Sequence, residues 1–266
     1  MNAIKSFLVE GYNKRIFILS LAKRNLHQQY FGSALGFFWA FIEPLIYITI
    51  LYFVFTFGLR IRAASDVPFA VYLISGMVAW IFFASTLSRS SNSISQYSYL
   101  LNNLGFRNSF LPIINILGNL LPHMFFVILA ILIAWLHGFS PSFYTFQIFY
   151  YMFAMSVLLL GFAWLTSSTN LFVKDISKLV SLIVQLGFWL TPVIWNISVV
   201  PEKFQWIIKM NPIYYIVRGY RESLIENIPF WAHPFDTLYF WLATMFFLLA
   251  GIKVFNKLEP HFGDVI

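Results

Sequence analysis

The sequence predicts an all-α membrane protein that crosses the bilayer several times, and three features of the chain support this fold class. Hydrophobic residues make up 60% of the 266 residues and charged residues only 10%, with a mean hydropathy of +0.76. Soluble domains contain roughly 45–50% apolar and about 25% charged residues, so this chain must be solvated by lipid. Its apolar runs reach the length of about 20 residues that a crossing helix needs. They also lack the period-two alternation of a membrane β-barrel.

Six apolar runs are long enough to cross the membrane, and each is interpreted as one transmembrane helix. The fifth run is the shortest, and its ends are the least sharply marked. Pro44, Pro122 and Pro192 should kink or break their helices, because proline removes a backbone hydrogen-bond donor. The predicted spans are residues 36–59, 67–87, 112–136, 143–168, 176–195 and 235–255.

The chain divides into an amphipathic arm, residues 1–35, and a six-span membrane domain, residues 36–266. The arm is expected to lie as a helix in the cytoplasmic membrane interface, because apolar residues fall on one of its faces. It serves either as a lipid anchor or as a helix that also gates the cytoplasmic entrance. Within the membrane domain, residues 89–111 form the largest cytoplasmic loop and residues 198–234 form an outer segment. The apolar face of the arm consists of Leu19, Ala22, Leu26 and Tyr30.

The distribution of basic residues predicts that both termini lie in the cytoplasm. With that topology, 11 of the 17 lysines and arginines fall in cytoplasmic segments and the other six in outer segments. This bias is the one that the positive-inside rule describes. The net charge of +7 is therefore interpreted as membrane-surface charge. A nucleic-acid partner is not predicted, because the sequence contains no continuous basic face.

The cytoplasmic loop contains apolar residues at helical spacing, which predicts a short amphipathic helix that ends at Gly105. An apolar stripe outside the bilayer needs either a protein partner or the lipid headgroups, and spacing alone leaves both open. The stripe consists of Ile94, Tyr97, Leu101 and Leu104.

The fifth apolar run breaks at residues 191–195 and continues into the polar outer segment, which is too long for a turn. Irregular backbone exposed to lipid leaves amide groups unpaired, at several kcal/mol each, so it must be shielded by protein or line water. Two short helices are predicted in the outer segment, near residues 202–209 and 212–224, with Asn211 as the N-cap of the second.

The sequence lacks the motifs of common catalytic and metal sites. It has no phosphate-binding loop, because no glycine precedes a lysine, and it contains no cysteine. Its five histidines are scattered without metal-ligand spacing. We therefore expect no catalysis, metal or cofactor in this chain.

Aromatic residues make up 21% of the chain, and most are expected to face lipid or neighbouring helices. Two sets of aromatic residues each lie on one face of a helix. Such aromatic faces suit sugar rings, so both sets are candidates for lining a substrate channel. Glu43, the one acid away from the ends of the predicted spans, has either a structural hydrogen-bonding role or a role in proton relay. The structural role is favoured because the spans offer no charged partner. The channel candidates are Trp39 and Tyr47 on the first span and Phe146, Tyr150 and Phe153 on the fourth.

Several short motifs resemble the membrane permeases of type-2 ABC exporters that move cell-surface polysaccharides. The O-antigen exporters are most similar, and the capsule and teichoic-acid exporters are also similar. The chain departs from many relatives at Phe106-Arg107, where they have Phe-Pro, and at Lys174-Asp175, where they have Arg-Asp. The motifs are residues 34–44, 105–107 with 111–112, 173–176, 191–195, 211–212 with 219–221, and 257–266.

The resemblance implies a homodimer in the bacterial inner membrane with two separate ATP-binding subunits, which hold ATP and Mg. The cargo would be a polysaccharide on a polyprenyl diphosphate lipid. The helix in residues 89–111 would couple to the ATPase, and the basic pair Lys23 and Arg24 would receive the diphosphate or serve only as topology determinants. The implied outer gate consists of Thr191, Pro192, Trp195 and Tyr220.

Two other functions remain open on the sequence. One is an ABC exporter of a small amphiphile or drug, within the same superfamily. The other is a secondary transporter or channel that acts alone, which should contain more intramembrane charge than Glu43 supplies.

Overall fold

The computed structural model describes residues 2–28, 32–60, 67–101 and 106–265, and within these ranges the chain is helical and has no β-strand. The observed class is therefore all-α, as the composition predicts. The described ranges contain α1 Asn2–Asn13, α2 Arg15–Gln28, α3 Trp39–Phe53, α4 Phe69–Ser90, α5 Ser93–Gln96, α6 Ser98–Leu101, α7 Leu111–Leu136, α8 Gln147–Phe172, α9 Asp175–Leu190, α10 Glu202–Lys209, α11 Pro212–Arg221 and α12 Pro234–Leu258.

Five helical segments in the described part of the chain are long and apolar enough to cross a membrane. They contain α3, α4, α7, α8 and α12, and they lie where five of the six spans are predicted. The continuous fifth span predicted over residues 176–195 is wrong at its end, because the 16-residue α9 stops at Leu190. A proline disfavours helical geometry at the residue that precedes it. Thr191, which precedes Pro192, accordingly has φ −88° and ψ 134°.

The helix α4 forms the centre of the protomer. It packs against α3, α7, α8, α9 and α11, and 72% of its most apolar 18-residue window is buried. The helices α3 and α12 are much more exposed, with 17% and 22% of their windows buried. Lipid solvates the exposed surface of a helix only where that surface is apolar. Polar residues on these two exposed helices therefore indicate a surface that meets protein or water instead of lipid.

The helices α8 and α12 pack closely along their length through two glycines. A Cβ atom built on Gly161 would lie 2.7 Å from the backbone nitrogen of Leu248, and Gly251 faces the Gly161 carbonyl. Small residues permit such close backbone approach between membrane helices. This contact fixes α12 on the far side of α8 from α4.

The N-terminal arm forms two helices, α1 and α2, where one helix is predicted. The buried face of α2 includes Ala22 and Leu26, as predicted, but Leu19 is 56% exposed. Ile18 and Leu21 take its place and pack against the start of α7, so the apolar face is rotated relative to the prediction. The predicted face also includes Tyr30, which lies outside the described residues.

The cytoplasmic loop contains two short helices, α5 and α6, because Tyr97 breaks the helical path with φ −107° and ψ 27°. The predicted single helix is therefore not observed, and its expected end at Gly105 lies outside the described residues. In the outer segment, α10 forms at the predicted position, and α11 begins at Pro212 as predicted but ends at Arg221, where a π-helical turn over Glu222–Glu226 follows. The N-cap of α11 is Asn211, whose side chain accepts a 3.0 Å hydrogen bond from the Ile213 amide.

Candidate functional site

The exposed face of α3 carries an acid and a tyrosine where a single protomer would meet lipid. Glu43 and Tyr47 stand one helical turn apart, both are exposed, and Trp39 is half-buried one turn before them. A carboxyl group that faces lipid is costly, and acids within spans face protein or water-filled cavities instead. This face of α3 must therefore be covered by protein or water.

The helix α9 has a row of polar residues along one side. Lys178, Ser181 and Gln185 are separated by three and four positions, so they lie on one side of the helix, and all three are exposed. This row is absent from the predicted site residues, although its spacing is visible in the sequence. The other exposed side of α9 is apolar and includes Leu179, Leu182, Ile183 and Leu186.

The two polar faces lie beside each other over α4. The rings of Tyr47 on α3 and Phe188 on α9 are 6.1 Å apart, and Phe188 lies 5.8 Å from Trp80 on α4. Phe188 is on the same side of α9 as Ser181 and Gln185, so the polar row faces the acid-bearing side of α3. We call this surface the polar groove, defined by Glu43, Tyr47, Lys178, Ser181 and Gln185.

The predicted aromatic set on α8 lies apart from the polar groove, because the central α4 separates α8 from α3. Tyr150 packs inside the protomer, where its hydroxyl lies 3.1 Å from that of Tyr215 and accepts a 2.9 Å hydrogen bond from Trp241. Phe146 and Phe153 are exposed on the outer surface of the helix. The structure therefore does not bring these three residues together with Trp39 and Tyr47.

Arg221 at the end of α11 holds the irregular chain that follows α9. Its guanidinium donates a 2.7 Å hydrogen bond to the Pro192 carbonyl and a 2.5 Å hydrogen bond to the Val193 carbonyl. It also lies 3.7 Å over the ring of Tyr72 on α4, and the residue is only 7% exposed. The broken backbone at this depth is thus paired through a side chain from elsewhere in the chain, as membrane burial requires.

The four predicted outer-gate residues surround this contact. Thr191 accepts a 2.8 Å hydrogen bond from Asn211, and the Trp195 carbonyl accepts one of 2.8 Å from Tyr72. The Tyr220 hydroxyl lies 2.7 Å from Nε2 of His123 on α7. Together with Pro192, these residues connect the end of α9 to α4, α7 and α11.

An ionic cluster fixes the outer end of α11 against the start of α12. Arg218 pairs with Glu222 at 2.6 Å and with Asp236 at 2.9 Å, and it contacts His233. Burial raises the pKa of Glu222 to about 7 despite the Arg218 charge beside it, and burial also lowers the pKa of His233. Within the described residues, no group of three histidine or acidic side chains is arranged to hold a metal ion.

The predicted coupling stripe faces the interior of the protomer. Ile94 is 0% and Tyr97 is 1% exposed, and they pack into two apolar clusters with α7, α8 and α12. Leu104 lies outside the described residues, and the side chain of Leu101 is not described. The exposed side of the loop consists instead of Asn92, Ser95, Gln96 and Tyr99.

The predicted diphosphate-binding residues lie beside this loop. Lys23 and Arg24 are exposed on α2, and Arg24 donates a hydrogen bond to the Tyr99 hydroxyl. This end of the protomer thus brings two cations and the exposed side of the loop onto one surface.

A buried polar row on α7 connects α2 and the loop of residues 89–111 with α11. Asn115, Asn119 and His123 are separated by four positions each and are almost fully buried. Asn115 contacts Asn25 of α2, which in turn accepts a 3.2 Å hydrogen bond from Gln96. At the other end, His123 meets Tyr220 of α11. Buried polar groups in a span are costly, so a continuous row indicates a function beyond packing.

The chain matches the family model of ABC-2 type transporters over residues 17–225. The chain belongs to the ABC-2 type transporter family. As an ABC-2 permease it is a transport component and a multi-pass inner-membrane protein, and the family implies an ATP-binding partner.

Several relatives align with this permease over nearly its whole length. It is 26% identical over 250 residues to the O-antigen export system permease protein RfbA of Klebsiella pneumoniae, which covers 94% of each chain. It is 23% identical to the RfbA of Myxococcus xanthus, over 97% of this chain and 98% of that protein. It is also 20% identical to the polysialic acid transport protein KpsM of Escherichia coli, over 92% and 95%.

Proposed function

We propose that this permease is the membrane subunit of an ATP-driven exporter that moves lipid-linked O-antigen polysaccharide across the inner membrane. The observation that carries the proposal is the polar groove, an acid-bearing surface on helices that otherwise meet lipid. The similarity to two O-antigen export permeases supports O-antigen as the cargo. The cargo in this proposal is attached to a polyprenyl diphosphate lipid.

The groove supports a homodimer. In a two-fold assembly the same patch of both copies faces itself, so two polar grooves enclose one path. Glu43, Ser181 and Gln185 then face water and cargo instead of lipid. Tyr47 offers an aromatic surface with a polar hydroxyl, which suits a sugar chain that must slide past.

The fifth crossing is completed by the irregular chain in this proposal. The 16 residues of α9 extend about 24 Å, short of the hydrocarbon thickness of about 30 Å. Residues 191–195, held by Arg221, supply the remainder, so the chain has six spans and α11 re-enters from the outer side. Each copy of this region forms half of an outer gate, and both termini are cytoplasmic.

The cytoplasmic surface receives the ATP-binding subunits and the lipid diphosphate, with one ATP-binding subunit per copy. Ser95, Gln96 and Tyr99 form the docking side of the coupling loop, because Ile94 and Tyr97 are used for packing inside the protomer. Lys23 and Arg24 bind the diphosphate through charge-assisted hydrogen bonds. The hydrolysed ATP and its Mg belong to the partner.

Filling the groove tests the proposed path. Gln185→Trp places a large ring among the polar residues, and surface polysaccharide should fall by about tenfold, equivalent to about 1.4 kcal/mol on the transport barrier. Export is measured as polymer on the cell surface, with the amount of permease in the membrane determined in parallel. The control is Leu242→Trp, at an exposed apolar position of α12 on the other side of α8. Equal export by the two variants would rule out the groove as the path.

The coupling surface is tested by an added ring at its exposed side. Ser95→Trp should reduce the ATP-binding subunit that co-purifies with the permease about tenfold, the effect of about 1.4 kcal/mol on binding. The matched control is Ser198→Trp, an exposed serine in the outer segment. Retention of the partner by Ser95→Trp at the control level would show that docking occurs elsewhere.

A capsule exporter is the second candidate, favoured by the similarity to KpsM. Its cargo would also be an extended polysaccharide, so the groove would serve the same purpose. An exporter of small amphiphiles needs no polar groove of this length, and a transporter that acts alone would keep its activity without any ATP-binding subunit.

A further inference from the structure

A cavity of about 260 Å³ opens between α3, α4 and α7, beside the polar groove. Glu43 and Tyr47 belong to both, so the cavity is a side chamber of the groove and not a separate compartment. Pockets for drug-sized ligands have volumes of roughly 300–1,000 Å³, so this one suits a single ring-sized unit. Its other polar lining residues are Ser85, Arg89, Asn119 and His123.

The lining offers both hydrogen-bond donors and hydrogen-bond acceptors. The guanidinium of Arg89 donates a 3.0 Å hydrogen bond to the Asn119 side chain on one wall, and the carboxyl group of Glu43 lies on another. Ser85 and Tyr47 contribute hydroxyl groups. Glu43 and Arg89 bring one charge of each sign to the lining, so the cavity has no net charge that favours an anion such as a diphosphate. The mixed set of amide, hydroxyl, carboxyl and guanidinium groups suits a neutral ligand with many hydroxyl groups.

Aromatic rings complete the lining. Trp80, Phe82 and Phe126 present apolar surface to the same space, and Phe82 stacks on the His123 ring with centroids 4.3 Å apart. A sugar ring has this dual character, because its hydroxyl groups need polar partners while its C–H faces pack on aromatic surfaces. A purely apolar guest would instead remove water from the exposed carboxyl group of Glu43, which is costly.

We propose that this cavity is a binding subsite for one neutral sugar residue of the polymer in transit. The subsite rests on the proposed function, because it takes its ligand from the groove. Its place in the fold connects it to both ends of the protomer: Asn119 continues to Asn115 and the coupling loop, and His123 continues to Tyr220 of α11. A sugar residue held here contacts the row that joins those two regions.

The absence of cysteine from the chain permits a direct test. Ser85→Cys places a thiol in the cavity and Ser181→Cys places one in the groove. Each variant is prepared as the complex with its ATP-binding partner, in membranes with or without the lipid-linked polymer. A small methanethiosulfonate reagent is then applied and its rate of reaction measured. Nine-tenths occupancy of a site slows the reaction about tenfold, so polymer should slow both thiols by that factor.

The outcomes separate the subsite from the proposed function. If polymer slows Ser181→Cys but not Ser85→Cys, the subsite is wrong and the groove remains the path. If polymer slows neither, the proposed function fails and the subsite with it. A Ser85→Cys thiol that never reacts without polymer would show that the cavity is closed, which also overturns the subsite. Ala84→Cys on the same wall replaces Ser85→Cys if that variant does not accumulate.

Discussion

Replacing Arg221 with methionine is expected to abolish export and to destabilise the permease by about 3 kcal/mol. The guanidinium is the partner of two buried carbonyls, those of Pro192 and Val193, at 2.7 and 2.5 Å. Methionine fills similar space but donates no hydrogen bond. The chain after α9 would then carry unpaired carbonyls at membrane depth, and the proposed outer gate would lose its connection to α11.

Two opposing effects set the size of this change. Each orphaned carbonyl costs about 1–3 kcal/mol, and the contact between the guanidinium and the Tyr72 ring contributes about 2 kcal/mol when desolvated. Removal of a buried cation returns part of its desolvation cost, which is several kcal/mol. The loss of the hydrogen bonds is expected to outweigh the recovered desolvation cost, because the surrounding helices provide a site shaped for the Arg221 side chain. A Cβ on Gly76 would lie 2.8 Å from its Nη2 atom, so this glycine on α4 provides the space that the guanidinium occupies.

The measurements are thermal unfolding of the purified complex and surface polymer in cells. Arg221→Lys keeps the charge but lacks the planar guanidinium that donates to two carbonyls at once. Its stability and its export should therefore lie between those of wild type and Arg221→Met. The control is Tyr72→Phe, which keeps the ring below the guanidinium and removes only the hydrogen bond to Trp195, at about 1 kcal/mol. If Arg221→Met is no less stable than Tyr72→Phe, the carbonyl contacts do not hold the gate.

The position of Arg221 shows where sequence reasoning stops. Charge counting places it in the outer segment, among basic residues balanced by nearby acids. In the structure Arg218 pairs with Glu222 and Asp236, whereas Arg221, three positions later, turns to carbonyls 28 and 29 residues upstream. These two basic residues, three positions apart on one helix, have different neighbours. The packing of α11 on α4 decides which neighbours those are.

The cytoplasmic loop provides a similar case. The helical spacing of Ile94 and Tyr97 correctly indicates that each side chain has an apolar environment, although the two lie in separate clusters. Periodicity does not say whether that environment is a partner, lipid or the chain itself, and the answer is the chain itself. By contrast, the spans of α3, α4, α7, α8 and α12 follow from length and composition, because the bilayer imposes both. The polar row of α9 could have been found from its spacing alone.

Gly219→Ala is expected to prevent stable folding of the outer region. A Cβ atom at this position would coincide with the ring of Tyr151 on α8. That ring is 1% exposed and lies between other rings, with centroids 5.5 Å from Tyr215 and 6.4 Å from Tyr220. The Tyr151 ring cannot shift within this packing, so α11 must move away from α8. Overpacking typically costs about 1–3 kcal/mol, and an overlap of this extent belongs at the upper end or beyond.

The clash itself is tested by removing the ring that causes it. Tyr151→Ala alone leaves a cavity and should cost about 3–5 kcal/mol, yet in that background Gly219→Ala should cost far less than in wild type. Thermal unfolding of the four proteins gives the coupling between the two positions. The control is Gly58→Ala, because no atom lies within 4 Å of a Cβ at that glycine. Equal cost of Gly219→Ala with and without the Tyr151 ring would mean that the glycine is needed for backbone freedom, and that close packing of α11 on α8 does not explain it.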